Sequence, residues 1–244
     1  MLFTGPDSPF ARRPASTLAW LDPLDPQMIV LDAACGAAHA AEIIAPQVRQ
    51  VIGLDITPSL LALGAQRLRD GGHRNVLLQE GSVTAMPFVD DSFDLVVCRS
   101  SVHHFSDPAR AIGEMGRVCR PGGRVVISDL VPPSIDEREA LDRIHRAIDP
   151  SHVRILLEQE LADLMRELVG PLTYGETAEP LELPIDSIFT DASDRVATMT
   201  ALDAELHGGP PTGLRPQPQA GRIIVAFTNT VVHATVPAQP RGAA

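Results

Sequence analysis

The sequence predicts an α/β fold, a doubly wound and mostly parallel sheet with late antiparallel strands and a small helical cap. Three observations predict it. Short apolar runs alternate with longer amphipathic stretches from Met28 to about Leu130. The runs are apolar throughout, as strands covered on both faces must be. Strands alternating with helices at this spacing imply right-handed βαβ units and a parallel sheet. A length of 244 residues is enough for one such core and a modest appended subdomain.

The elements follow in order. Residues 1–27 are Pro-rich and broken, and read as an N-terminal lid with one short helix around Pro14–Trp20. MIVLDA (28–33) is a buried strand ending beside an acid, and Ala40–Ala45 is a helix. VIGLDI (51–56) is the second strand. Ser59–Asp70 is the second helix, with Leu60, Leu61, Leu63 and Leu68 as its apolar positions. NVLLQEG (75–81) and FDLVVCRS (93–100) are strands three and four. A helix runs from about Pro108 to Cys119, RPGG (120–123) is a turn, and RVVISDL (124–130) is the fifth strand.

Beyond Pro132 the regularity weakens. Ile135–Ile148 and Leu156–Leu168 have helical apolar spacing, and Leu181–Ile185 reads as a strand. Residues 207–221 form a Gly/Pro-rich loop. Arg222–Val232 is a late strand that can close the sheet edge. The division expected is a lid over 1–27, a ligand-binding core over 28–131, a cap and substrate region over 132–206, the loop over 207–221, and the closing strand and tail over 222–236.

Composition narrows the function. Lys and Arg total 20 against 31 Asp and Glu, a formal net charge of −11. Such a balance repels a phosphate backbone and argues against a nucleic-acid partner. The three cysteines, Cys35, Cys98 and Cys119, have no CxxC spacing and no disulfide framework, which fits a reducing cytoplasm. No apolar run has signal-peptide or membrane-spanning length, so a cytoplasmic chain without membrane insertion is expected. A homodimer stays open.

The site-bearing segment is VLDAACGAAHAAEI, a strand, a small-residue turn and a helix start. Ligands of open α/β sheets bind at such turns, outside the carboxyl ends of the strands. The next strand ends in Asp55, nineteen residues beyond Gly36, where a carboxylate can hold both hydroxyls of an adenosine ribose. Either feature alone could serve packing or capping. Charge separates the candidate ligands. A dinucleotide brings a pyrophosphate, which Asp32 would repel, and it needs bare glycine where Ala34 and Ala38 stand. Asp32 and Asp55 together suit S-adenosylmethionine, which joins an adenosine to an ammonium and a sulfonium, better than NAD or FAD.

VLDAACGAAHAA, VIGLDIT, EGSVTAMPFVDDSFDLVVCRSSVHHFSDP and RVCRPGGRVVISD, in this order and spacing, resemble the class I S-adenosylmethionine-dependent methyltransferases. The branch they resemble most is the ubiquinone/menaquinone-biosynthesis type, methyltransferase 11. DRIHRAIDPSHVR (142–154) resembles a stretch in small bacterial members, so the likeness spans about Met28–Arg154. It implies a Rossmann-like core that binds S-adenosylmethionine. Asp32, Ala34 and Gly36 would line the methionine end of the cofactor and Asp55 its ribose. Ile56 would pack on the adenine, flanked by Ser82 and Val83. Arg99, Ser101, His103 and His104 would face the acceptor, with Arg99 also beside the cofactor. Two residues depart from the pattern: Ala38 replaces a glycine and Ser82 a common acid.

His103 and His104 are the candidate general bases, because neutral imidazole is available near pH 7. One of them is equally a packed rim residue. Arg99 either anchors an acidic acceptor or pairs with a carboxylate. His145 and His152 are expected on a helix surface or cap. Adjacent histidines project differently and Asp107 supplies no third ligand spacing, so no metal site is expected. Met86-Pro87-Phe88 and the segment after Pro132 are expected to form a partly hydrophobic acceptor pocket. The function expected is methylation, at oxygen or carbon, of a small, partly hydrophobic molecule. The alternative is a cofactor-binding protein of the same fold without methyl transfer, and a weaker one a nucleotide-linked oxidoreductase.

Overall fold

The computed structural model describes residues 19–178 and 180–238. Most of the expected lid over 1–27 and of the helix around Pro14–Trp20 lies outside the described residues, as do residues 239–244 of the tail. The first half alternates strand and helix as β1 (Ile29–Ala33), α1 (His39–Ile44), β2 (Gln50–Asp55), α2 (Pro58–Asp70), β3 (Val76–Glu80), β4 (Phe93–Arg99), α3 (Pro108–Val118) and β5 (Cys119–Val131). The second half holds α4 (Arg138–Ile148), α5 (Glu158–Leu168), β6 (Leu172–Thr177), β7 (Leu181–Pro184), α6 (Arg195–Leu206), β8 (Gln217–Gln219) and β9 (Arg222–Thr235).

The strand order is β3-β2-β1-β4-β5-β9-β6. Strands β1 to β5 run parallel, while β9 is antiparallel to β5, β6, β7 and β8. The order reverses between β1 and β4, so the switch point where doubly wound sheets bind ligands lies at the tips of those two strands.

Side-chain alternation builds a core on each face of the sheet. Leu31, Val96, Cys98, Val125 and Ile127 point to the side packed by α3 and α5. Val30, Leu95, Val97 and Val126 point to the side that holds Ala40, Ala41 and Ile44 of α1 and Leu68 of α2. A third cluster joins Leu141, Ile144 and Ile148 of α4 to Leu202 of α6 and to Val225 and Phe227 of β9. The cap is thereby packed on the extended half of β9 rather than on the parallel strands.

Four details differ from expectation. RPGG is not a free turn but an irregular stretch inside β5, where the register against β4 jumps from Phe93↔Cys119 to Leu95↔Arg124. Gly122, with φ of 75°, supplies the left-handed step that the bulge needs. The 207–221 loop contains β8, which hairpins onto Arg222–Ile224. Neither β6 nor α6 was expected. β9 runs through Thr235, so one 14-residue strand serves four partners. Among the described residues, no helix is long and apolar enough to cross a membrane.

Candidate active site

The turn after β1 is shaped by backbone before side chains. Ala34, Gly36 and Ala38 all adopt left-handed φ, at 57°, 54° and 62°. Only Gly36 does so without a Cβ penalty. The turn is pinned to the neighbouring strand, with Cys35 N donating to Leu54 O at 3.0 Å.

Asp55 closes that linkage. Its Oδ2 accepts from Gly36 N and its Oδ1 from Thr57 N, both at 2.8 Å. An ionised carboxylate has about four acceptor positions, so each oxygen keeps one for a further donor. The carboxylate is thus oriented by backbone and still able to receive a diol. Ile56 beside it is 69% exposed, a large apolar side chain left uncovered at a strand tip. Both features fit an adenosine.

Asp32 has a different setting. It is 2% exposed, and its Oδ2 accepts from Ala41 N at 3.0 Å. Ala38 cannot cap α1 with its side chain, so Asp32 satisfies the third amide of that helix from below. Burial raises its pKa to about 7, with Arg99 and the Ala41 amide opposing and Asp55 adding to the rise. Arg99 of β4 is therefore an electrostatic partner of Asp32. A cation brought to this turn would favour the ionised carboxylate.

Ser82 Oγ lies 2.8 Å from Thr84 Oγ1 and accepts from Thr84 N at 3.2 Å, so its hydroxyl is largely spent on its own turn. Val83 packs partly buried against the α3-side core. Ser101 Oγ donates to Ala34 O at 3.2 Å and ties the rim after β4 to the turn after β1.

His103 and His104 form a single-turn helix at that rim. His103 is 3% exposed, and its Nδ1 lies 2.5 Å from Asp129 Oδ1. Burial would raise the Asp129 pKa, but the His103 charge and amide bonds from Leu130 and His103 outweigh it and hold the carboxyl below its usual range. An ionised Asp129 makes Nδ1 the donor and leaves His103 Nε2 for other work. His104 is half-buried, with Nδ1 3.1 Å from Ser151 O, and burial followed by the His103 charge lowers its pKa.

His145 and His152 are neither surface nor cap residues: they are 7% and 4% exposed. Their rings are 5.0 Å apart and lie 6.0 and 5.6 Å from that of His103. Contacts from α4, the loop behind it and the β4 rim assemble this group, and no local periodicity signals it. The DPSH stretch within 142–154 was the one available hint. Met86-Pro87-Phe88 also departs from expectation. Met86 is buried in the α3-side core, and Phe88 packs edge-to-face on Phe93 at 5.0 Å, so these two side chains are taken up by the core. Asp107 caps α3 by accepting from Arg110 N at 2.9 Å. Among the described residues, no group of three His, Cys, Asp or Glu side chains is arranged to hold a metal ion.

The family model described as a methyltransferase domain matches residues 31–127. An uncharacterized methyltransferase of Bacillus subtilis, YcgJ, is 38% identical over 128 residues, which are 51% of this chain and 50% of that protein. A demethylmenaquinone methyltransferase of Bacillus velezensis is 32% identical over 108 residues, 43% and 46% of the two chains. In these alignments the chain spans about half the length of the curated relatives it matches. The crystal structure of YcgJ superposes with a TM-score of 0.80 at 24% identity, covering 91% of this chain and 97% of that one. A methyltransferase-like structure from Bacillus halodurans gives 0.81 at 23% identity, covering 91% and 98%. At these identities the structures establish a shared fold.

Proposed function

From the match of residues 31–127 to the methyltransferase-domain family model, we infer that the protein transfers a methyl group from S-adenosylmethionine to a small, partly hydrophobic molecule. The observation that carries the reading is the Asp55 carboxylate, held by Gly36 N and Thr57 N with acceptor positions to spare beside exposed Ile56. When bound, the cofactor supplies an electrophilic methyl on a sulfonium whose departure as a neutral thioether needs no acid.

The chain's residues then have few tasks. Asp55 would take the ribose hydroxyls and Ile56 the adenine face, with Ser82 and Val83 at its edge. Ala34 and Gly36 would let the methionine end approach the backbone, while Asp32 balances its ammonium. Arg99, between Asp32 and the rim, would be shared by cofactor and acceptor. His104 and His103 would face the acceptor, and the region over 132–206 would close on it. Alignment of acceptor and methyl can supply several kcal/mol of the barrier, and a base adds only where the acceptor must lose a proton. Oxygen and carbon acceptors both fit, in a soluble cytoplasmic enzyme.

Calorimetric titration with S-adenosylhomocysteine tests the reading. Saturable binding is expected, weakened at least about tenfold in Asp55→Ala, since two amides and the ribose lose one shared acceptor. A wild-type protein that gives no binding heat removes the proposal.

A further inference from the structure

Four imidazoles lie where the β4 rim, the end of β5 and the segment after α4 meet, and three of them are buried. His103 is held by Asp129, and His152 Nε2 lies 2.7 Å from Asp142 Oδ1, which Ile155 N also reaches at 2.8 Å. His145 packs edge-to-face on Phe227 at 5.5 Å. His104 differs. It is half-buried, and among the described residues its Nε2 has no hydrogen-bond partner and is not enclosed.

The bonds on the other side of that ring decide which nitrogen carries the proton. Nδ1 lies 3.1 Å from both the Ser151 carbonyl oxygen and Ser151 Oγ. Ser151 Oγ lies 2.6 Å from Asp149 Oδ1, which also accepts from Ser151 N at 2.9 Å. Burial would raise the Asp149 pKa, but the two Ser151 bonds and the charges of His104 and His103 hold it below its usual range. An ionised carboxylate only accepts, so the Ser151 hydroxyl proton lies toward Asp149 and Oγ turns a lone pair to the ring. The Ser151 carbonyl likewise only accepts. Both require the proton on Nδ1, which leaves a lone pair on Nε2 of the neutral ring.

The surroundings say where that lone pair stands. His104 N donates to Ser101 O at 2.9 Å, and Ser101 Oγ donates to Ala34 O at 3.2 Å, so the turn carrying the ring is stitched to the turn after β1. From the other side, Val153 N and Arg154 N donate to His103 O at 2.9 and 3.1 Å and dock the cap segment on the same turn. His104 is thus clamped between the cofactor turn and the cap.

Resting on the methyltransferase reading, we propose that Asp149 and Ser151 are positioning residues that lock His104 as its Nδ1–H tautomer, so that Nε2 receives a hydrogen bond from an O–H or N–H of the methyl acceptor. Burial, followed by the charge of His103, lowers the His104 pKa against the opposing effects of Ser151, Asp149 and Asp129. The ring is therefore neutral, and it orients the donor without taking its proton. Its contribution is alignment of the acceptor rather than base catalysis. An acceptor molecule without such a donor near the methylated atom forgoes the contact.

Ring-nitrogen NMR of the histidine-labelled full chain reads the tautomer directly. The probes are S-adenosylhomocysteine and S-adenosylmethionine, which differ by the charged methylsulfonium. In the S-adenosylhomocysteine complex His104 should be predominantly Nδ1–H. Ser151→Ala should lower the ratio of Nδ1–H to Nε2–H by about fivefold, as the loss of one hydrogen bond implies, and Ser151→Thr should restore it. Both variants keep the amide that closes the turn on Asp149, so a serine needed only for that turn would leave the tautomer unmoved. S-adenosylhomocysteine affinity should stay within about twofold in both. His104 should also titrate at lower pH with S-adenosylmethionine bound than with S-adenosylhomocysteine, because a cation near Nε2 disfavours a second proton on the ring. A wild-type ring protonated at Nε2, a ratio unchanged in Ser151→Ala, or equal titration in the two complexes overturns the proposal. A protein that binds neither nucleoside instead removes the methyltransferase reading beneath it.

Discussion

Asp32 and Asp55 end neighbouring strands, yet their surroundings differ. Asp55 is bonded by two amides, whereas Asp32 is buried with one amide and Arg99, and its pKa rises to about 7. In the free protein Asp32 therefore holds its proton until near neutrality. A ligand ammonium favours the ionised form, so binding expels that proton and acid competes with the ligand. S-adenosylhomocysteine affinity should rise with pH, by up to about tenfold per unit below pH 7, and level off above it. Titrations in buffers of different ionisation enthalpy should register the released proton. Asp32→Asn should bind more weakly and without the slope; a wild-type affinity that is flat from pH 6 to 8 contradicts this account. That both acids stand at strand tips was legible in VLDAACG and VIGLDI. The role of Asp32 in capping α1 was not, because it arises from Ala38 lacking a side-chain acceptor, so that the Ala41 amide turns to a carboxylate nine residues back along the chain. The histidine group was illegible for a related reason: its members are separated by 42 and 49 residues and meet only after α4 folds back on the rim.

At the scale of elements, the cofactor turn is limited by how closely α2 approaches it. A Cβ built on Gly64 would lie 3.0 Å from the Ala37 carbonyl carbon and 3.1 Å from Ala38 Cβ. Those atoms belong to a buried left-handed turn with little room to yield. Gly64→Ala should therefore destabilise by about 1–2 kcal/mol through overpacking, despite the better helix propensity of alanine, and weaken S-adenosylhomocysteine binding. Thermal melts with and without ligand would show both; an unchanged or higher melting temperature refutes the close-approach argument. Ala34→Gly tests the opposite strain. Ala34 has φ of 57° and is not fully buried, so removing its Cβ relieves about 1–2 kcal/mol of left-handed strain. The greater chain entropy of glycine offsets about half, leaving a modest gain in melting temperature. Ala38→Gly should gain less, because its methyl is fully buried in the α1-side core and contributes about 0.8 kcal/mol there. The five parallel strands were readable because each is a short apolar run bounded by Gly, Pro or acid. β6 was not, since LTYGET is largely exposed and owes its form to pairing with β9. α6 is a helix with little amphipathic contrast, anchored by an Asp194 cap and by Leu202 in the cap cluster. Such elements are specified by partners distant in sequence rather than by their own pattern.

For the molecule as a whole, buried histidines set the acid limit. His145 and His152 are held neutral mainly by burial, and His104 by burial and His103. His233 falls to about 4 through burial and Arg124. Each has a folded pKa below the unfolded value of 6.5, so the unfolded chain binds more protons between those limits. Stability is then present above about pH 6.5 and lost as pH falls toward the folded values. Asp32 acts in the opposite direction, since its raised pKa makes the folded chain the better proton binder between 3.8 and about 7. Four histidines against one aspartate leave a net loss on acidification. A histidine kept neutral throughout costs on the order of 2 kcal/mol by pH 5, which corresponds to roughly 5 °C in melting temperature for a chain of this size. The melting temperature should fall between pH 7 and pH 5 by more than one such step. His145→Phe keeps an aromatic ring against Phe227 and removes one titrating site, so its drop should be smaller by about that amount. Asp32→Asn should show a steeper drop than the wild type, because the opposing proton uptake is gone. If His145→Phe and the wild type melt in parallel across this range, the His145 ring is already protonated or solvated in the fold, and neutral burial is not what limits the protein in acid.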